Sequence, residues 1–199
     1  QSDSEYDQIF DLEGKILCPG LIDIHTHGAA GVSYSHISGS IDAAATYLAS
    51  HGVTGFLPTP GQPPYEDLVQ NTAALRELAS INNPGARILG LNFEGPYLNP
   101  KYGSRRDNVL LPDPDLYEKI INEAGPLAKI MTVAPELEGA RELISFLNKR
   151  GVIISVGHTE ANEDELNFAV HHGARLATHM YNAMGQPIQE KGGVKPVGL

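Results

Sequence analysis

The chain contains a single cysteine, Cys18, in 199 residues. No disulfide can form within it, and a reducing compartment, the cytoplasm, is the expected setting. Long apolar runs are also missing: none approaches the roughly 20 residues that a membrane-spanning helix needs. Cations are scarce, 14 Lys and Arg against 24 Asp and Glu, for a net charge of −10. They form no long run, which argues against a broad nucleic-acid or anionic-membrane surface. The first residues, QSDSEYDQ, are polar and acidic and lack the apolar stretch of a secretory signal. With no initiator Met, they are expected to lie inside a longer gene product.

What is present is a regular alternation. Val-, Ile- and Leu-rich runs (KILCPGLIDIH, GVTGFLPT, ARILGLNFEG, AKIMTVAPE, GVIISVGHT and ARLATHMYNA) are separated by SIDAAATYLASH, YEDLVQNTAALRELASI, DPDLYEKIINEAG, EGARELISFLNKR and NEDELNFAVHH, which have apolar residues at helical spacing. Continuous apolar strands alternating with helices imply a parallel sheet buried on both faces. An open doubly wound sheet fits this alternation, but no G-x-G-x-x-G sits at the first strand–helix turn. Polar chemistry instead gathers at the C-terminal ends of several strands, where a (β/α)8 barrel builds its site, and such a barrel typically takes about 250 residues. The expected fold is therefore α/β: a barrel incomplete in this chain, with about six strand–helix units. Ahead of it, YDQIFDLEGKILCPG predicts a β-hairpin remnant of another small β unit, with its turn at Glu13–Gly14. The expected division is 1–18 and 19–199.

Residues i and i+2 of a strand share a side, so His25 and His27 of LIDIHTHG are predicted to face the barrel mouth together. Glu94 ends the apolar run of LNFEGPYL, and an unpaired carboxylate is costly to bury there. His158 is expected at the next-to-last position of the strand in IISVGHT, and His179 at the end of the strand in LATHMYNA. Imidazole and carboxylate together suit zinc, iron or another borderline divalent ion, so these five residues are read as a metal centre. His36 in a loop, and His51, His171 and His172 at helix ends, are read as having no part in it. Cys18 is expected to be a small buried apolar residue. Asn182, with small Ala183 beside it, is expected to contact a ligand. Lys101, Arg105 and Arg106 in KYGSRRDN are either a solvated loop or an anion-binding one.

CPGLIDIHTHG, GVTGFLPT, LNFEGPYLNPKYG, VGHTEAN and THMYNAM, in this order, resemble the N-acetylglucosamine-6-phosphate deacetylases of the amidohydrolase superfamily. The resemblance implies a metal-dependent (β/α)8 barrel beside a small β-sandwich made by both chain ends, of which residues 1–18 would be a remnant. It implies hydrolysis of the acetamide of N-acetylglucosamine 6-phosphate, giving glucosamine 6-phosphate and acetate, and a homodimer of the full-length protein. Glu94, His158 and His179 match the ligands of the principal ion, with zinc foremost, and His25 and His27 match those of a second. Asn182 and Ala183 match the pair that contacts the sugar phosphate. Ser104 and Arg105 stand where the family has a small residue and a histidine. The family's catalytic aspartate belongs to the last barrel strand, which lies beyond this chain. After Met184 the sequence departs from the family's basic segment; Lys191 or Lys195 could replace its phosphate-binding arginine. Two alternatives stay open. One is a cyclic amidase or deaminase, although such enzymes commonly use a lysine on the fourth strand and TVAPE has none. The other is an inactive metal-binding fragment.

Overall fold

The computed structural model describes residues 10–81, 84–103 and 105–185. Strand β1 (Leu21–Thr26) leads into a small antiparallel pair, β2 (Gly28–Ala29) and β3 (Val32–Ser33), and then helix α1 (Asp42–Ser50). There follow β4 (Val53–Pro58), α2 (Tyr65–Ala79), β5 (Arg87–Ile88), β6 (Leu91–Glu94), α3 (Pro114–Ala124), β7 (Ala128–Val133), α4 (Ala140–Lys149), β8 (Ile153–Gly157), α5 (Glu163–His171) and β9 (Ala174–Thr178). Each apolar run has thus supplied a strand, in one case two, and each segment of helical period a helix.

Two parallel ladders result, β1-β4-β5 and β6-β7-β8-β9. The run ARILGLNFEG, expected as one strand, supplies both β5 and β6. Leu89 still donates to the Phe56 carbonyl at 3.0 Å; the chain then passes so close to Lys129 that a Cβ on Gly90 would lie 2.1 Å from its Cγ. Beyond that step β6 pairs with β7. The strands curl: the Asn92 amide on β6 donates to the Ile24 carbonyl on β1 at 2.8 Å.

Period-two alternation sorts the strand residues. Leu91 and Phe93, Met131 and Val133, and Ile154 and Val156 join the core, together with Ile120 and Ile121 of α3 and Leu143, Ile144 and Leu147 of α4. Their neighbours Asn92, Glu94, Thr132 and Ser155 face the inside of the curl. Helix starts follow local chemistry. Asp113 accepts from the Asp115 N–H ahead of α3, with Pro114 as the first helical residue, where its missing N–H costs nothing. Asn162 and Glu165 form a reciprocal capping box on α5.

The N-terminal expectations fare differently. The turn at Glu13–Gly14 forms, with Lys15 N–H donating to the Leu12 carbonyl at 2.8 Å. Residues 10–20 nevertheless belong to no strand, so the expected hairpin is not seen among the described residues. Cys18 is exposed, contrary to the expectation of burial. Ile16 beside it is 91% exposed: nothing in the described chain packs over this segment.

Candidate metal centre

Glu94, the last residue of β6, is only 4% exposed, yet carries a carboxylate. Four imidazoles converge on it. His158 Nε2 lies 2.9 Å and His179 Nε2 2.6 Å from Oε1. His27 Nε2 lies 3.1 Å from Oε2, and His25 Nε2 is 3.6 Å from Oε1. The rings of His25 and His179, contributed by the first and last strands, are 5.3 Å apart.

His25 and His27 reach this point as expected for alternate residues, although β1 ends between them at Thr26. His158 and His179 do not follow the simple pattern. Each lies one residue beyond its strand, and an extended continuation after inward Gly157 and Thr178 would point it outward. Both instead adopt the left-handed conformation, at φ 56° and 57°, which returns the imidazole to the interior. Such backbone is uncommon for a residue with a Cβ and clusters at functional sites. Gly157 beneath is required for close packing, since a Cβ would lie 2.7 Å from that of Thr178.

Backbone carbonyls set the tautomers. His158 Nδ1 donates to Tyr102 O at 2.8 Å, and His27 Nδ1 to Thr59 O at 2.9 Å. A carbonyl only accepts, so a neutral ring would turn a lone pair on Nε2 toward Glu94. That contact is attractive when a proton is shared between the two groups or when a cation bridges them; the low pKa of Glu94 puts such a proton on the imidazole. Without an ion, protonation responds accordingly. The bond to Glu94 raises the His27 pKa against the opposing effect of burial. At His158 burial opposes the charge most, yet Glu94 and the Tyr102 carbonyl still raise the pKa. Burial would push the Glu94 carboxyl up, but the hydrogen bonds from His158 and His27, with His25 close by, hold it well below the usual carboxylate range.

The donor set also fits a divalent ion. Ligand atoms of His25, Glu94 and His179 lie within 4.8 Å of one another. His25 Nε2 is buried without a hydrogen-bond partner, the kind of atom a metal satisfies. The Nδ1–H···O=C bonds of His27 and His158 are those that commonly orient metal-binding imidazoles.

Beneath the rim is a cavity of about 370 Å³, lined by residues that include Ile24, His25, Asn92, Ser155 and His179. Ser155 Oγ and Thr132 Oγ1 lie 2.7 and 3.0 Å from Thr178 Oγ1, forming a buried hydroxyl layer. The sequence reading passed over this layer, and over Asn92, whose Nδ2 lies 3.3 Å from His25 Nδ1. The available signal was polar residues at period two inside apolar strands.

The other candidates are dispersed along the same rim. Asn182 is exposed; its N–H donates to the His179 carbonyl at 2.6 Å, and its side chain has no hydrogen bond among the described residues. Ala183 is half-buried at φ 51°. Arg105 is exposed, its N–H donating to Gln62 Oε1 at 3.1 Å, and Lys101 is engaged by Glu160 at 2.9 Å. Ser104, Lys191 and Lys195 lie outside the described residues. His36 is an exposed loop residue, while His51, His171 and His172 hold carbonyls at their own helix ends.

Residues 16–194 match the model of the amidohydrolase family. The chain belongs to that family. Its members are generally metal-dependent, and the His/Glu cluster is where this member could hold an ion. The chain is 38% identical over 175 residues to the N-acetylglucosamine-6-phosphate deacetylase of Bacillus subtilis, covering 85% of this chain and 44% of that protein. The enzyme of the same name from Homo sapiens is 34% identical over 186 residues, covering 89% and 45%. Among solved structures, a mutant N-acetyl-D-glucosamine-6-phosphate deacetylase of Mycobacterium smegmatis, in complex with N-acetyl-D-glucosamine 6-phosphate, superposes with TM-score 0.79 at 31% identity. That match covers 87% of this chain and 45% of the other. The chain therefore spans less than half the length of these relatives.

Proposed function

We propose that this chain carries the metal-holding part of an N-acetylglucosamine-6-phosphate deacetylase, built as an incomplete (β/α)8 barrel over residues 19–199, with residues 1–18 a remnant of a small β-sandwich. The observation that carries the reading is the convergence of four imidazoles on buried Glu94, in a chain 38% identical to a deacetylase of that name. Glu94, His158 and His179 would hold the principal ion and His25 and His27 a second, zinc being the best match to the donor set. A divalent ion held by these residues would supply a water of pKa about 7 and a Lewis acid for the acetyl carbonyl.

The chain's own residues do the positioning. Thr59 and Tyr102 carbonyls keep His27 and His158 in the tautomer that turns Nε2 inward. Asn182 and Ala183, on the turn after His179, would face the sugar phosphate, and Arg105, with Ser104 before it, would add a cation for the same anion. Water adds to the acetyl carbon, the C–N bond breaks, and the departing amine needs a proton. No aspartate of this chain is assigned that transfer. A homodimer in the cytoplasm completes the reading. A lysine-bridged amidohydrolase site is disfavoured, because Lys129 lies at the exposed start of β7.

Elemental analysis of the purified protein tests the site. One or two ions per chain, lost in Glu94→Gln and reduced from two to one in His25→Ala, is the expected result. A folded parent that takes up no ion would overturn the reading. Acetate release from N-acetylglucosamine 6-phosphate by the whole protein then tests the reaction.

A further inference from the structure

Glu136 lies in the loop after β7, between the strands that lead to Glu94 and His158, and it grips the loops on both sides. Its Oε1 accepts from Asn99 Nδ2 at 2.9 Å, in the loop after β6, and from the Glu160 N–H at 2.8 Å, in the loop after β8. Its Oε2 accepts from the Thr159 hydroxyl. The two residues that follow His158 are thus both tied to one carboxylate. The circuit closes on His158 itself: the Asn99 N–H donates to the His158 carbonyl at 3.0 Å, and His158 Nδ1 donates to the Tyr102 carbonyl. Asn99 Oδ1 accepts the Lys101 N–H at 2.9 Å, which fixes the stretch that presents Tyr102 O.

A surface carboxylate would accept from water at little cost. Here three protein donors from two other loops engage both oxygens, and the object they clamp is a histidine in left-handed backbone. We propose that Glu136 is a positioning residue of the metal centre: it holds the loops after β6 and β8 in register, so that His158 keeps its inward turn and its Nε2 stays 2.9 Å from Glu94. This rests on the assignment of Glu94 and His158 as metal ligands. Groups that orient ligands from outside the coordination sphere are typically worth about 10- to 100-fold in metal affinity, and Glu136 acts through backbone one step further out, which places it at the lower end.

The test is Co²⁺ titration of the full chain, followed by affinity and by the visible ligand-field bands that report coordination geometry. Glu136→Leu removes both acceptor oxygens, and with them all three bonds, and is expected to weaken Co²⁺ binding about tenfold and to alter the bands. Glu136→Gln keeps one carbonyl oxygen for Glu160 and Asn99, and the Thr159 hydroxyl can rotate to accept from the new amide. It is expected to restore the parental affinity and spectrum. Leu143→Ala, in the α4 core, controls for instability and is expected to lower the melting temperature while leaving the bands unchanged. If Glu136→Leu fails to fold, Asn99→Ala deletes one of the bonds from the other loop and is expected to shift the spectrum in the same direction. Parental affinity and bands in the folded Glu136→Leu protein would overturn the proposal, as would equal changes in Leu143→Ala. No Co²⁺ binding by the folded parent would instead overturn the metal-centre reading on which the proposal rests.

Discussion

At Glu94, burial and hydrogen bonding pull in opposite directions, and the histidines win. This has a definite consequence for pH. The raised pKa of His27 and His158 contributes stability that is fully present below their ordinary 6.5 and is lost as pH rises through the raised value. The lowered pKa of Glu94 contributes stability that is present above its ordinary 4.5 and is lost as pH falls through the lowered value. In the ion-free protein the cluster therefore stabilises most in the window between these ordinary values. A metal needs the imidazoles neutral, so its contribution grows in the opposite direction. The gap in melting temperature between zinc-loaded and chelator-stripped protein should widen from about pH 5 to about pH 8; calorimetry showing a constant or shrinking gap would contradict it.

Single elements carry local signals that act independently of the site. The capping box of Asn162 and Glu165 satisfies N–H groups at the start of α5 that have no partner within the helix. Asn162→Ala should cost about 1 kcal/mol in urea unfolding without changing metal content. Leu143 is fully buried on α4, and Leu143→Ala should cost about 2–5 kcal/mol. The elements themselves were readable because helical period and continuous apolar runs are local patterns. The split of ARILGLNFEG into β5 and β6 was not, because it depends on which neighbouring strand each half pairs with. The five candidate ligands stood out as polar residues ending apolar runs. Their supports did not: the carbonyls of Thr59 and Tyr102 carry no side-chain signature, and Glu136 looks like any loop glutamate.

Across the whole molecule, the curl leaves β1 and β9 each with no strand on its outer side among the described residues. On β1, Leu21, Ile22 and Ile24 are 63%, 60% and 45% exposed. Open, apolar strand edges favour association between chains. The 199-residue chain by itself is expected to self-associate, and Ile22→Lys to raise its solubility and shift light scattering toward the monomer. Equal solubility of the two proteins would argue that this edge is not the adhesive one.

The order of strands and helices, the parallel arrangement and the choice of His25, His27, Glu94, His158 and His179 came from the sequence alone, because periodicity and misplaced polarity are properties of neighbouring residues. The tertiary structure decided what lies far apart in the chain. Residues 25 and 179 meet only because the strands curl, and His158 and His179 turn inward only through left-handed backbone. Cys18 stays exposed because no described segment covers it. Such outcomes depend on which surfaces meet, and a linear pattern does not encode that.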